Sequence, residues 1–145
     1  MNEPHIDLTG HLGADPTLRF TPNGVPVGDL RVATTRRYKL GEEWLDGETL
    51  WFEVVVWKQL ALHVFDSLHK GDKVTVSGRL LQRRWEKEDG TSGTKLVIDA
   101  NSVGVDLVRA PVLVKLPVRE GSVVETLSER WEDRPAPEVA EEIAA

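Results

Sequence analysis

Three tryptophans stand where they could stack on planar ligands, and cations are interleaved with them. In a strand, alternate side chains point to opposite faces. Along Trp51 to Trp57 (WFEVVVW), Phe52, Val54 and Val56 therefore share one side while Trp51, Glu53, Val55 and Trp57 share the other. The first set is a core face. The second places two indoles beside a carboxylate, although a strand buried on both faces would read as the same continuous apolar run. Neighbouring stretches decide between the two readings. Arg79, Leu81, Arg83, Trp85 and Lys87 alternate along another strand, and Arg31 and Arg37 fall on the second face of a third. Single-stranded nucleic acid needs both residue types, because exposed bases stack on aromatic rings for roughly 1–3 kcal/mol per base and phosphates attract Lys and Arg. Duplex DNA presents no free base faces to such a surface. Taken singly, each tryptophan is equally a core or subunit-contact residue, and Arg36, Arg37 and Lys39 around Tyr38 read as a solvated rim; the conjunction on three strands is what points to a nucleic acid. A protein-binding adaptor on the same scaffold and an RNA ligand remain open.

The elements that must carry these residues are legible in turn. Ile6, Leu8 and Leu12 alternate with polar residues as a first strand. Gly13-Ala14-Asp15-Pro16 interrupts it, and Leu18 to Thr21 leads as a short extension into the Asn23-Gly24 turn. A second strand is expected over about 25–37, a mobile hairpin loop carrying Trp44 over 38–47, and a third strand over about 48–57. Leu60, Ala61, Val64, Phe65 and Leu68 recur at helical spacing, with Lys70 and Gly71 expected to close that helix. Val74 to Lys87 and Leu96 to about Val108 are the fourth and fifth strands, joined by a turn at 88–93. This order predicts an all-β fold: a five-stranded Greek-key barrel of the oligonucleotide/oligosaccharide-binding (OB-fold) type, with one short helix between strands 3 and 4. The barrel domain is assigned to residues 1–108. An extra C-terminal strand, Val112 to Val118 within 109–119, is expected to pack on a neighbouring subunit or on the barrel's edge. Residues 120–145 form an acidic tail, a short helix (capping-box residues Ser122 and Glu125) or disorder.

Charge is distributed unevenly. The net −6 of the 145-residue chain resides in the tail, since residues 1–119 hold 16 basic and 16 acidic side chains and residues 120–145 hold 2 and 8. A neutral body with clustered cations is compatible with a polyanionic ligand. The tail is expected to compete weakly with that ligand for the basic face. Cysteine is absent, which excludes disulfides and thiolate metal sites and fits a cytoplasmic setting. No apolar run is long enough for a membrane span, and no secretory signal is visible at the N-terminus. His5, His11, His63 and His69 form two pairs six residues apart without carboxylates at metal-ligand spacing, and no phosphate-cradling glycine loop or paired acid and base stands out. The sequence therefore indicates no catalytic residue, no metal and no cofactor.

Several stretches also carry a resemblance. LTGHLGADP (Leu8 to Pro16), RFTPNG (Arg19 to Gly24), VGDLRVAT (Val27 to Thr34), WFEVVVWKQLA (Trp51 to Ala61), KGDKVTVSGRL (Lys70 to Leu80) and RRW (Arg83 to Trp85) resemble, in order, motifs of the bacterial single-stranded DNA-binding protein family. The match covers about residues 4–105. It implies a homotetramer that binds single-stranded DNA without sequence readout, in replication, recombination or repair at the nucleoid. Carried over by position, Tyr38, Trp51, Trp57 and Trp85 match the family's base-stacking aromatics, with Tyr38 and Trp57 standing where many members have a Trp and a Phe. Arg37, Lys58, Lys70, Lys73, Arg79, Arg83, Arg84 and Lys87 are the phosphate candidates. Members acting as the general replication protein usually end in several aspartates followed by Ile, Pro and Phe. The sequence here ends Glu141-Glu142-Ile143-Ala144-Ala145, so docking of replication or repair proteins through the tail is not implied, and a specialised paralogue is. Val112 to Val118 is similar to the subunit-clasping strand of some actinobacterial members.

Overall fold

A computed structural model describes residues 2–115, and within it the elements run β1 (His5–Leu12), β2 (Thr17–Phe20), β3 (Pro26–Leu40), β4 (Glu43–Trp57), α1 (Lys58–Ser67), β5 (Lys73–Glu86) and β6 (Ser92–Val105). The hydrogen-bonded order is β1-β5-β6-β4-β3-β2, and an additional β1–β3 pairing, Leu12 opposite Val32, closes the five long strands into a barrel. Closure requires two backbones to meet where β1 crosses β3. Gly10 makes room there, since a Cβ at this position would lie 2.4 Å from the Ala33 carbonyl oxygen. The even-numbered face of the strands fills the barrel with Leu30, Val32, Val54, Val56, Val74, Val76 and Ile98. Ala61, Val64 and Leu68 of α1 join this core.

Three expectations are corrected. The extension at Leu18 is a true short strand, β2, which pairs with β3 as a flap outside the barrel ring. Residues 38–47 are not a loop: β3 and β4 continue pairing through Arg37 opposite Asp46 to Leu40 opposite Glu43, leaving a tight turn with Gly41 at φ +67°. The extra residue near Gly47 is absorbed as a bulge, which strengthens local twist and lets the arm extend beyond the barrel. Finally, α1 ends at Ser67, with Leu68 in an extended conformation as its cap, and Gly71 (φ +93°) instead forms the turn into β5, where its N–H donates to the Leu12 carbonyl.

Residues 111–115 carry no strand in the single chain. The remainder of the expected extra strand, 116–118, and the acidic tail from 120 lie outside the described residues.

Candidate nucleic-acid interface

The registers place the odd-numbered residues of β3, β4, β6 and β5 on one continuous outer face. One row across the sheet reads Arg31, Glu53, Val97, Leu81; the next reads Asp29, Val55, Asp99, Arg79. These rows divide the face. In the second, Arg19 Nε donates to Asp29 at 3.0 Å, while Arg79 is held by Asp99 at 2.7 Å and Glu3 at 3.0 Å. Hydrogen bonding to Asp99, then to Glu3, raises the Arg79 pKa further above its already basic value. Beside these ion pairs Val27, Val55 and Val97 form a second, small buried cluster. That half of the face is internally neutralised and well packed.

Towards the other end the same face turns aromatic and cationic. Trp51 lies against Gly13, where a Cβ would fall 2.3 Å from its ring, and the Arg31 guanidinium sits 4.7 Å from the ring centroid. Trp85 lies across β6 on Gly93, where a Cβ would fall 2.5 Å from Cζ2, and Lys87 stands 5.7 Å from its ring centre. Both indoles are thus seated on glycines, so the backbone beneath fixes the height of each ring. Trp57 closes β4 at the opposite end of the face from Trp51, across from Val27 and beyond the ion-paired row. Exposures of 51% for Trp51, 39% for Trp57 and 38% for Trp85 leave ring surface open to a ligand while part of each indole is gripped by the protein.

The structure separates the other sequence candidates. Tyr38 projects from the opposite side of the β3–β4 arm, beside Arg36, Glu48 and Leu50 in a shallow groove. Arg37 is on the tryptophan side, paired with Asp46 at 3.2 Å and 6.0 Å from the Trp44 ring centre. Lys73 bonds Asp106 at 3.5 Å and, like Arg79, is ion-paired. Arg84 alternates to the face away from Trp85 and lies 4.0 Å from Glu86. Arg83 and Lys87 share the Trp85 side, and neither has a carboxylate partner among the described residues. Lys58 is exposed directly after Trp57 and adopts φ +58°, a left-handed backbone that a lysine occupies only under constraint. Lys70 is an exposed residue of the α1–β5 turn whose backbone N–H donates to Asp15 Oδ1 at 2.8 Å.

Residues absent from the sequence list also belong to this surface. Trp44 is one, in addition to Arg31, which the sequence already placed on this face, and Gly13 and Gly93 are the seats of the rings. Lys95 is another: its Nζ bonds Glu53 Oε2 at 2.8 Å, so the carboxylate on the tryptophan face is paired by Lys95 and not by Arg31, its neighbour across the β3–β4 ladder. The hairpin itself carried the signal, because counting outward from the Lys87–Thr91 hydrogen bond puts Trp85 opposite Gly93 and Arg83 opposite Lys95. Among the described residues no group of three His, Asp or Glu side chains is arranged to hold a metal ion, and no helix is long and apolar enough to cross a membrane.

A family model described as the single-strand binding protein family matches residues 4–106. The single-stranded DNA-binding protein of Corynebacterium glutamicum is 39% identical over 124 residues, covering 84% of this chain, and the chain spans only 55% of that relative's length. The single-stranded DNA-binding protein of Mycobacterium tuberculosis is 39% identical over 118 residues, covering 80% of this chain and 72% of the relative. The crystal structure of the small single-stranded DNA-binding protein from Streptomyces coelicolor superposes with a TM-score of 0.67 at 42% identity, covering 76% of this chain and 100% of that one.

Proposed function

This chain belongs to the single-strand binding protein family, and from that premise we propose that it binds and protects single-stranded DNA, without enzymatic activity and with little regard to sequence. The observation that carries the reading is the pair of glycine-seated indoles, Trp51 and Trp85, each with a cation within 6 Å of its ring centre. Bases stack on the open ring surface, Trp57 extends the track, and the cations of the same face follow the phosphates. Arg31, Arg83 and Lys87, without a carboxylate partner among the described residues, are the first-rank phosphate contacts, with Arg37, exposed but paired with Asp46, and Lys58 and Lys70 as further ones. Lys73 and Arg79 serve the barrel, and Arg84 and Tyr38 contact DNA only where it wraps around the β3–β4 arm or the β5–β6 hairpin.

The working unit in this reading is a homotetramer in the cytoplasm, acting at the nucleoid in replication, recombination or repair. The exposed apolar run at Val112, Leu113 and Val114 supports a subunit contact. Replacing Trp51, Trp57 and Trp85 together with alanine tests the binding reading. Loss of oligo-dT affinity with an unchanged far-UV spectrum supports it; undiminished affinity refutes it. Solution mass of the intact chain tests the tetramer.

A further inference from the structure

A carboxylate at the centre of a surface that attracts a polyanion is a cost unless it does something there. Glu53 follows Trp51 along β4, nearer the ion-paired half of the face than either seated indole, directly across from Arg31 on β3 and from Val97 on β6. Arg31 does not neutralise it; that guanidinium lies over Trp51. Glu53 instead reaches diagonally to Lys95 at 2.8 Å, with about half of each side chain exposed. Lys95 is itself directly opposite Arg83 across the β5–β6 ladder. Like charges facing one another across strands repel, so Lys95 is driven away from Arg83 and drawn towards Glu53 by the same two neighbours.

We propose that Glu53 is an affinity-limiting residue: it sequesters Lys95 from phosphate and thereby holds single-stranded DNA binding below what this face could supply. The proposal rests on the single-stranded DNA reading above. A phosphate taking Lys95 would leave Glu53 unpaired beside a second anion, so the Glu53–Lys95 pair stays intact in the complex and the backbone runs past it along Arg31 on one side and Arg83 on the other. Removal of the carboxylate frees Lys95 next to Arg83, which creates a two-cation phosphate site where the wild type has one. The consequence for function is release. A protein that coats single strands must also be displaced from them, and a built-in competing anion keeps each contact weak enough to yield.

The test is a salt-titrated double-mutant cycle on the full chain with oligo-dT, read by tryptophan fluorescence. Each cation newly engaged with single-stranded DNA steepens the log K against log salt slope by about 0.7, or about fivefold in affinity at 0.1 M salt. E53Q, nearly isosteric and at an exposed position, is expected to tighten binding about fivefold and steepen the slope by that amount. K95Q alone is expected to leave the slope unchanged, whereas adding K95Q to E53Q reverses the gain. A slope unaltered by E53Q, or a slope flattened by K95Q in the presence of Glu53, overturns the proposal. Should the wild type fail to bind oligo-dT at all, the functional reading falls and not merely this inference. Thermal melts of each variant establish that the fold is retained.

Discussion

Gly93→Ala changes neither an aromatic ring nor a charge, yet it is expected to damage binding through the seat of Trp85 alone. A Cβ on residue 93 would stand 2.5 Å from Cζ2, 2.7 Å from Cε2 and 3.1 Å from Nε1 of the indole. Ordinary contact begins near 3.4 Å, so the ring must rise by about 1 Å or leave its rotamer, which itself costs about 0.5–1.5 kcal/mol. The backbone at Gly93 lies in a regular strand opposite Trp85 without a left-handed angle, and alanine is tolerated there at least as well as glycine. The barrel core, centred on Val54, Val76 and Ile98, does not include residue 93. Stability should therefore change little. Loss of one productive base stack is worth about 1–3 kcal/mol, a fall in affinity of about 5- to 150-fold. Fluorescence titration with oligo-dT at fixed salt reads the affinity, and the unliganded emission spectrum reports the displaced indole. If G93A shifts the emission but leaves the affinity unchanged, Trp85 is not a stacking residue and the reasoning from its seat is wrong.

Further outcomes follow from other parts of the molecule. Lys58 at φ +58° carries a left-handed penalty that glycine lacks, so K58G should be more stable than K58A by about 1 kcal/mol in denaturant melts; equal stabilities would mean that the backbone relaxes. Truncating Ile98, which is fully buried at the centre of the barrel, to alanine should cost about 2–5 kcal/mol in the same assay. The Asp106 carboxyl is held below the ordinary carboxylate range, first by the Val108 N–H that donates to it and, against the opposing effect of desolvation, also by Lys73. A depressed folded-state pKa contributes stability above the carboxylate range that is lost as pH falls through it. D106N should accordingly lower the melting temperature at neutral pH, with the gap to wild type closing in acid. A gap that stays constant would show that Asp106 acts without its charge.

The sequence disclosed the barrel because β-strand alternation is strong wherever one face is buried: Leu12, Phe52, Val54 and Val56 each fall on the predicted side. It overstated the loop at 38–47, because glycines and acidic residues read as a turn whether two or ten residues leave the ladder. What it missed at the site were relations between strands. Trp51 and Trp85 were visible as aromatic residues, but their glycine seats depend on register and on the β1–β2 turn passing beneath Trp51. The phosphate candidates divided for the same reason. Arg79 and Lys73 look like Arg83 in the alternation, and only the approach of Asp99, Glu3 and Asp106 from other segments reveals them as neutralised. Glu53 stood out as anomalous in sequence, while its partner Lys95 emerged only once β6 was laid beside β4.

The central claim is that a half-exposed, cation-flanked tryptophan face binds unpaired bases. It is tested most directly by titrating the intact chain with oligo-dT and, in parallel, with a duplex of equal length, following tryptophan emission at low and moderate salt. Strong quenching by the single strand is expected, little by the duplex, and a single-strand affinity that falls with salt because phosphate neutralisation releases condensed cations. Unchanged emission with oligo-dT at low salt, or equal binding of the duplex, would contradict it.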